Sequence, residues 1–519
     1  MDGLRFSSAG SGAGGSGGSG GSSRASVSYL TGWGEAPLLG GVSFMRFAYL
    51  CFACCLAASL LRLLPFVDAA APALTYGVKE LGAGNGYSLF LESNGTLYAT
   101  GFNANGQLGD GSGNNRSDFV NVASGVASFS VGGAHVLFVK TDGSLWGMGN
   151  NYSGQLGDGP RTGAYSPKQL LASGVSKASA GADHSLFVKT DGSLWSMGSN
   201  ITGQLGDGNY VDSLVPVQVV SSGASLVSAG GNHSLFVKTD GSLWAMGSGW
   251  SGALGDGNTT SRSAPLQIVS SGVSAISAGG NHSLFVKTDG SLWSMGFNYF
   301  GQLGDGSTSN RLTPTQILSS GASNAWAGDN HSLFLKTDGS LWAMGNNGYG
   351  QLGDGSTTSR TSPVQLTASG VIAVAAGGYH SLYLTSARTL KATGENAKGA
   401  LGDGSTQNRS TPVTTRERFH SVTMSEDGAP TAWSAPSISA TDEDGVSGLT
   451  WSVGTAPTNG VATVTGTGAS PTTFSYAPSA NYAGQDSFTV KVSDGNASDE
   501  VTIKVTVEAV NDAPVIDQS

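Results

Sequence analysis

A chain of 519 residues is too long for one ordinary hydrophobic core, so we expect two or more domains. Charged residues make up only 12% of it, and the net charge of −10 is uneven, since residues 419–519 hold 12 Asp and Glu against 2 Lys and Arg. Neither this region nor the nearly neutral one before it offers the dense positive charge that nucleic acids or anionic membranes require, so we expect no nucleic-acid partner.

The chain opens with a segment, residues 1–44, that is rich in Gly, Ser and Ala. The stretch Gly10–Ser23 contains only these three residue types, and such a composition cannot bury enough apolar surface to fold. We therefore predict a disordered leader. A start at Met45 is an open alternative, which would leave the leader outside the protein.

Residues 45–72 have the layout of a secretory signal peptide. Arg46 precedes an apolar run, Phe47–Leu61, and small residues follow at Ala69 and Ala73, where cleavage would fall. A membrane anchor at the N-terminus is the alternative, but the run of 15 residues is shorter than the roughly 20 needed to span a bilayer. The segment predicts a protein that is secreted or held at the cell surface.

From residue 73 to residue 418 the sequence repeats one unit. Six histidines recur 49 residues apart, and five tryptophans share the same interval. The histidines are His135, His184, His233, His282, His331 and His380, and the tryptophans are Trp146, Trp195, Trp244, Trp293 and Trp342. Such a period indicates a supersecondary unit that buries its core by stacking on its neighbours.

A third marker, G-[QA]-L-G-D-G, occurs seven times and counts the units. It begins at Gly106, Gly154, Gly203, Gly252, Gly301, Gly350 and Gly399. Each unit is predicted to contain four short strands, for example Val273–Ala278, Ser283–Lys287, Ser291–Met295 and Pro314–Leu318. Asp-Gly between the second and third strands, as at Asp289, favours a two-residue hairpin turn. Seven such units are typical of an all-β, seven-bladed propeller closed into a ring.

The first and last units are irregular, which we interpret as the sign of a closing seam. Tyr87 stands at the histidine position of unit one, and Lys391 stands at the tryptophan position of unit seven. The sequence leaves open whether Pro412–Thr415 completes unit seven or crosses over to unit one.

The segments A-G-G-x-H-S-L, D-G-x-L-W and G-Q-L-G-D-G, repeated in this order, resemble the regulator of chromosome condensation repeat family of seven-bladed propellers. The name-giving member of that family is a nuclear guanine nucleotide exchange factor for a small GTPase, so nucleotide exchange is one function that the resemblance implies. Family members with an export signal resemble extracellular binding scaffolds, and the predicted signal peptide favours this second function.

Residues 419–510 differ in character from the repeats. Alternating apolar and polar residues in Asp486–Ser493 and Glu500–Val507 predict strands of an antiparallel β-sandwich. The motifs S-E-D-G, T-D-E-D-G, V-S-D-G and V-N-D-A-P-V resemble the bacterial cadherin-like repeat of surface adhesins, in which the last motif also opens a following repeat. We therefore predict that residues 511–519 begin a further repeat or form a tail.

Acidic positions in these motifs are the candidate metal ligands. The resemblance to cadherin-like repeats implies calcium, a hard cation that takes about 6–8 oxygen ligands, and a spacer stiffened by it. The five residues are Glu426, Asp442, Asp444, Asp494 and Asp512. A solvated acidic face is the alternative interpretation.

The recurring His and Asp residues of the propeller favour structural roles. Equivalent histidines of successive blades lie around a ring and cannot converge on one ion at bond lengths of about 2 Å, so we expect each imidazole to bond a neighbouring backbone group. The Asp of each G-D-G turn is expected to cap its own turn by accepting backbone N–H bonds. The tryptophans of the third strands are expected in the core between blades.

One variable position distinguishes the units, two residues before each G-[QA]-L-G-D-G marker. It is bulky in four successive units, and bulky residues also occupy the next position in units five and six. The candidates are Tyr152, Ile201, Trp250 and Tyr299, with Phe300 and Tyr349 at the next position. Because loops tolerate polar residues, this arc predicts a binding face for a protein or a glycan. Packing between neighbouring loops is the alternative.

Together these features predict an exported, non-enzymatic binding or adhesion scaffold. The sequence contains no nucleophile elbow, phosphate-binding loop or H-E-x-x-H motif. The alternative from another class is the guanine nucleotide exchange factor, which rests on the family resemblance. A hydrolase or lyase site in the central channel has no residue cluster in its support.

Overall fold

Almost all of the described chain is β-structure. The structure, a computed structural model, describes residues 73–74, 77–416, 419–429, 431–436, 438–441, 446–495 and 498–510. The leader and the signal or anchor segment predicted for 1–44 and 45–72 lie outside these residues. Among the helices that are described, none combines the length and the apolar character that a membrane span requires.

Seven four-stranded antiparallel sheets succeed one another along the chain, and each is formed by four consecutive strands. They follow a short strand, β1 (Ala73–Leu74). The first four sheets consist of β2 (Val78–Ala83), β3 (Tyr87–Glu92), β4 (Leu97–Gly101) and β5 (Arg116–Ala123); β6 (Val126–Val131), β7 (His135–Lys140), β8 (Leu145–Gly149) and β9 (Ala164–Leu171); β10 (Val175–Ala180), β11 (His184–Lys189), β12 (Leu194–Gly198) and β13 (Ser213–Val220); and β14 (Ala224–Ala229), β15 (His233–Lys238), β16 (Leu243–Gly247) and β17 (Arg262–Val269).

The remaining three sheets repeat this plan. They consist of β18 (Val273–Ala278), β19 (His282–Lys287), β20 (Leu292–Gly296) and β21 (Arg311–Leu318); β22 (Ala322–Ala327), β23 (His331–Lys336), β24 (Leu341–Gly345) and β25 (Arg360–Thr367); and β26 (Val371–Ala376), β27 (His380–Thr385), β28 (Leu390–Gly394) and β29 (Arg409–Arg416). The prediction of seven four-stranded blades is confirmed.

The hydrophobic core of the propeller lies between blades rather than within them. Leu235 and Leu243 of blade four pack with Phe285 and Met295 of blade five, and a corresponding cluster fills every joint of the ring. The second strand of each blade is accordingly the most deeply buried, while the fourth strand has only half-buried and exposed residues, as in β17. No blade could bury its apolar residues without its neighbours, as the repeat pattern predicts.

The ring closes without exchange of strands between the first and last blades. Strand β29 pairs with β28, so the segment that contains Pro412 completes blade seven. At the seam, Val78 and Phe90 of blade one share a core cluster with Leu382 and Leu384 of blade seven. Packing and hydrogen bonds between complete blades therefore hold the ring shut.

The hairpin turns differ in one respect from the sequence prediction. Lys287 and Ser291 flank a loop of three residues rather than two, since the Lys287 N–H donates to the Ser291 carbonyl. Only Gly290 has a positive φ, +77°, so Asp289 keeps an ordinary backbone and the turn ends in a glycine bulge. In blade seven Arg388 occupies the glycine position at a φ of +59°.

The C-terminal module is a six-stranded sheet that curls around its own core. Its strands are β30 (Phe419–Ser425), β31 (Ala440–Thr441), β32 (Thr450–Val453), β33 (Gly460–Thr467), β34 (Thr473–Pro478), β35 (Gly484–Ser493) and β36 (Ser498–Glu508). The sheet order is β30-β36-β35-β32-β33-β34, and β31 pairs separately with β1. Trp451, Phe488 and Ile503 lie in the core. The predicted antiparallel pairing holds except between β30 and β36, which are parallel.

Candidate functional site

Two sets of loops emerge on one side of the propeller. His233 opens β15 and pairs with Gly247, which closes β16, so the loop before β15 and the loop after β16 leave the blade at the same end. This pairing recurs in every blade. We call this side, formed by the loops between the first and second strands and between the third and fourth strands, the loop face.

Buried polar side chains hold the loops between third and fourth strands in place. In blade five Asn298 Oδ1 accepts the Leu303 N–H at 2.9 Å, and its Nδ2 donates to Asp305 Oδ1 at 3.0 Å. Asp305 also accepts the Ser307 N–H at 3.0 Å and the Arg311 Nε–H at 2.6 Å. Burial opposes ionisation of Asp305, but the hydrogen bonds outweigh it and lower the pKa of the carboxyl. As predicted, the Asp caps its own turn.

The same carboxylate is paired with a basic residue of the fourth strand in six of the seven blades. The pairs are Asp110–Arg116, Asp158–Lys168, Asp256–Arg262, Asp305–Arg311, Asp354–Arg360 and Asp403–Arg409. Blade four lacks the Asn anchor, because Gly249 stands there, and its loop instead forms a single helical turn, Trp250–Gly252. The loops are thus built from inside and leave their tips free.

The predicted binding residues lie on these tips. The exposed fractions are 69% for Tyr152, 71% for Ile201, 54% for Trp250, 68% for Tyr299 and 44% for Tyr349. Phe300 is half-buried. They follow one another over blades two to six, so the loop face carries an arc of exposed apolar side chains, which we call the aromatic arc.

Part of the arc is held together by a residue that the sequence analysis missed. Phe297 stacks on Trp250 with ring centroids 5.3 Å apart and on Tyr299 at 6.3 Å. Phe300 meets Tyr299 edge to face at 5.0 Å. The sequence could have indicated Phe297, because the equivalent position is aromatic in only one other blade, at Phe102 of blade one. The remaining blades have Asn, Ser or Glu there. The two interpretations of the arc therefore combine: its side chains pack on one another and still face solvent.

Two further features border the arc. Tyr349 lies edge to face with Tyr379 of blade seven at 5.4 Å, and Tyr379 is itself 38% exposed. A pocket of about 230 Å³ opens between Tyr152 and Tyr165. Its Arg161 donates through Nη1 to the Tyr152 carbonyl at 2.5 Å. The apolar surface thus continues beyond the residues that the sequence singled out.

The central channel opens in the middle of the loop face. Its mouth encloses about 90 Å³ and is lined by the Ala-Gly-Gly segments of the loops between first and second strands. At the mouth, a backbone hydrogen bond crosses each joint, and together these bonds form a circle. They are Asn85 N–H to Gly133 O, Gly133 to Gly181, Ala182 to Gly230, Gly231 to Gly279, Gly280 to Gly328, Asp329 to Gly377 and Gly378 to Gly84.

The six histidines lie buried beneath the loop face, and each bonds the next blade. His233 Nε2 lies 2.9 Å from Ser283 Oγ, and Ser283 Oγ donates to the Ala253 carbonyl at 2.8 Å, so the imidazole is the donor in the first bond. The other pairs are His135–Ser185, His184–Ser234, His282–Ser332, His331–Ser381 and His380–Ser88. The predicted structural role is right, but the partner is a side chain and not the backbone.

The tryptophans of the third strands are only partly in the core. Trp244 packs against the cluster between two blades but is half-buried. It stacks on Phe236 of its own blade at 6.1 Å, and Lys238 Nζ lies 4.3 Å from its ring centroid. Because a lysine covers the outer ring face, the predicted place between blades is correct for one side of the indole alone.

Two of the five candidate calcium ligands lie among the described residues. Glu426 follows β30 and accepts the Val510 N–H through Oε1 at 2.8 Å. Asp494 follows β35, whose end pairs with Ser498 at the start of β36, whereas β30 ends opposite Glu508 at the other end of β36. The 11 residues of β36 separate the two carboxylates, so they cannot share one ion. Asp442, Asp444 and Asp512 lie outside the described residues.

Comparisons with known protein families agree with the fold of the propeller and of the C-terminal module. A model of the RCC1-like domain matches residues 58–324 and 224–455, which together cover more than half of the chain. A model of the bacterial Ig domain matches residues 409–506. Among curated proteins, no sequence matches this one.

Several solved structures share the propeller fold. Human WBSCR16 is similar with a TM-score of 0.57 and 23% identity, over 62% of this chain and 94% of that chain. Yeast RCC1 (Prp20) bound to Kap60 gives a TM-score of 0.55 and 19% identity, over 67% and 85%. Prp20p from Saccharomyces cerevisiae, described with its binding properties to Gsp1p and histones, gives 0.55 and 20%, over 66% and 86%. The chain belongs to the RCC1-like domain family, with a bacterial Ig-like module after its propeller.

Proposed function

We propose that the chain is a non-enzymatic scaffold whose loop face binds a protein partner. The observation that carries this proposal is the aromatic arc, in which Tyr152, Ile201, Trp250 and Tyr299 are each more than half exposed on successive blades. Large aromatic side chains held in water at adjacent positions are costly, and they are enriched where proteins bind one another.

The construction of the loops supports a preformed site. Asn298 and Asp305 fix their loop from within, so Tyr299 does not have to be ordered when a partner arrives. A rigid binding surface loses less conformational entropy on association than a mobile one. The channel mouth, at about 90 Å³, is too small for a typical metabolite, whose pockets measure roughly 300–1,000 Å³. The six recurring histidines are buried and hydrogen-bonded to serine, as His233 is to Ser283, which keeps them from acting on a substrate.

We further propose that the protein is exported and that the C-terminal module acts as its spacer at the cell surface. The layout of residues 45–72 supports export, and the match to a bacterial Ig domain supports a spacer role. Fractionation of the host followed by N-terminal sequencing tests this. A mature end near Ala70 or Leu74 outside the cytoplasm is the expected result, and an unprocessed cytosolic chain would contradict it.

Replacing Trp250 and Tyr299 together by Ala is expected to weaken partner capture by at least a hundredfold, because two aromatic anchors typically contribute about 2 kcal/mol or more each. The partner is first isolated from host extract or surface with the immobilised wild-type protein, and its affinity is then compared between variants. Val215→Ala, on the exposed outer strand β13, serves as the control and should bind normally. Unchanged affinity in a folded double variant would exclude the arc.

Guanine nucleotide exchange is the second candidate, and the family membership supports it. It predicts that the purified chain speeds release of labelled GDP from a small GTPase. If it does so and the Trp250 and Tyr299 double variant does not, the partner of the arc is the GTPase itself.

A further inference from the structure

The mouth of the central channel holds one charged side chain in otherwise small and neutral surroundings. Of the described residues that line it, Asp329 alone carries a charge, and Asn85 is the only other residue with a polar side chain. All the rest are Ala, Gly or Val. The equivalent position in the other blades is Gly, Ala or Asn, so the repeat itself does not require a carboxylate there.

The Asp329 carboxylate has no partner among the described residues. It takes part in no described ion pair and receives no described hydrogen bond, while its own N–H donates to the Gly377 carbonyl at 3.4 Å. The backbone N–H groups that circle the mouth donate to carbonyls of neighbouring blades, so they do not bond the carboxylate either. The Asp329 side chain is half-buried at the mouth, and this burial raises the pKa of the carboxyl. A partly desolvated charge without a partner is unfavourable.

The surroundings of Asp329 would attract a cation. A methyl group built on Gly378 would lie 2.5 Å from Asn85 Oδ1 and 3.2 Å from Asp329 Oδ2, so the two oxygens border the same small volume. Burial raises the pKa of the Tyr379 phenol, and the nearby carboxylates of Asp329 and Glu395 raise it further. One carboxylate and an amide oxygen in the mouth, with an aromatic ring nearby, make a surface suited to an organic cation.

We propose that the channel mouth receives a lysine side chain of the protein partner, with Asp329 as its counter-ion. This inference rests on the proposed function of the loop face, since the mouth lies beside the aromatic arc. A lysine fits because its ammonium is compact and its stem is thin enough to pass between the small Ala and Gly residues of the mouth. A metal ion fits less well, because the described residues hold no group of three His, Cys, Asp or Glu side chains placed to bind one.

Two short peptides test the site without the partner: acetyl-Gly-Gly-Lys-Gly-Gly-amide and its counterpart with norleucine in place of lysine. Binding to the full chain is measured by saturation-transfer NMR of the peptides. We expect the lysine peptide to bind, the norleucine peptide to bind roughly tenfold more weakly, and Asp329→Asn to remove this preference. Asp118→Asn makes the same charge change on the exposed edge of blade one and should keep it. Equal binding of both peptides, or a preference that survives in Asp329→Asn, would overturn the proposal.

The stability of the free protein gives a second measurement. Asp329→Asn should raise the melting temperature, because it removes a half-buried charge that has no partner among the described residues. A lower melting temperature would show that the carboxylate stabilises the channel and would also overturn the proposal. The Trp250 and Tyr299 double variant should still prefer the lysine peptide. Failure of the arc therefore appears in partner capture, and failure of the channel site appears in the peptide assay.

Discussion

At the scale of the residue, one joint of the ring explains two departures from the repeat at once. Tyr87 of blade one replaces the histidine, and its hydroxyl donates to the Gly132 and His135 carbonyls, each at 2.9 Å. Val136 of blade two stands where each of the other six blades carries the serine that accepts from a histidine. With no imidazole to donate to it, a serine at this joint would bury a hydroxyl oxygen that receives no hydrogen bond, and valine avoids that cost.

Restoring the repeat at this joint is predicted to give strongly coupled effects. Tyr87→His alone leaves an imidazole facing Val136, and Val136→Ser alone buries a hydroxyl beside Tyr87, so each should lower the free energy of unfolding by about 1–3 kcal/mol. The double variant rebuilds the His–Ser pair and should be more stable than the sum of the single changes by about 1 kcal/mol or more. Denaturant unfolding of the four proteins measures this. Strict additivity would show that the two sites are independent.

The buried histidines also predict how stability depends on pH. Burial lowers the pKa of four of them to about 3 and of His233 and His380 to about 4, below the usual 6.5. Below pH 6.5 the unfolded chain therefore binds protons that the folded chain refuses. Stability is complete above that pH and is lost as the pH falls toward about 4, by roughly 1.4 kcal/mol per pH unit for each histidine.

Six histidines acting together should remove roughly 8 kcal/mol of unfolding free energy between about pH 7.5 and about pH 5.5, which is comparable to the whole stability of a typical domain. Denaturant titrations at the two pH values measure the loss, and His282→Gln should reduce it by the share of one histidine. Equal stability at both pH values would mean that the histidines accept protons in the folded state.

At the scale of the element, the seam uses one strained turn. Arg388 adopts the left-handed backbone that glycine adopts in the other blades, and its Nη1 donates across the seam to the Val78 carbonyl at 3.0 Å. The strain costs about 1 kcal/mol for a residue with a Cβ, and the hydrogen bond returns a similar amount. The hydrogen bond that Arg388 makes across the seam thus offsets the cost of its unfavourable backbone conformation.

Two substitutions separate these contributions. Arg388→Ala keeps the strain and loses the hydrogen bond, so it should lower the free energy of unfolding by about 1 kcal/mol, whereas Arg388→Gly loses the bond and relieves the strain and should be nearly neutral. Gly339→Ala introduces the strain at the equivalent turn of blade six, where φ is +76°, and should destabilise without involving the seam. Equal stability of the Ala and Gly variants at 388 would show that the turn is unstrained.

In the C-terminal module, calcium binding remains a prediction, and the position of Glu426 limits where the site could lie. Because Glu426 bonds the Val510 N–H, a site at this end of β36 would draw on the chain just after Val510, where Asp512 follows in sequence. We expect calcium to raise the melting temperature of the module's transition in the full chain, and Glu426→Gln to abolish the rise. Asp494→Asn, at the opposite end of the strand, is the control. A rise lost in Asp494→Asn and kept in Glu426→Gln would place the ion elsewhere.

The sequence predicts the features that are determined by residues close together in the chain, and it does not predict contacts between residues that are far apart in it. The 49-residue period and the Asp-Gly turns are local signals, so the number of blades and most of their strands could be predicted. The bond from His233 to Ser283 joins two neighbouring blades and becomes visible only in the fold. Phe297 escaped notice for a similar reason, since it meets Trp250 across the joint between blades four and five.

At the scale of the whole molecule, the propeller is a closed cycle of nearly equal joints. Each joint has an apolar cluster, a backbone hydrogen bond at the channel mouth and, in all but one, a His–Ser bond. Because the N–H groups around the mouth all donate to the following blade, opening any joint leaves a donor and an acceptor without partners. The seam therefore needs no special strand to be as firm as the other joints.

In most blades an Asn, an Asp and a basic residue fix the loop between the third and fourth strands. The residue two positions before the G-[QA]-L-G-D-G marker takes no part in these side-chain bonds. Tyr152, Ile201, Trp250 and Tyr299 occupy that position in successive blades, while Ala104, Gly348 and Ala397 occupy it in the others. Except for Trp250 and Tyr299, which both stack on Phe297, each of these positions can change without disturbing its neighbours. Single substitutions there would change what the loop face binds while the packing between blades stays the same.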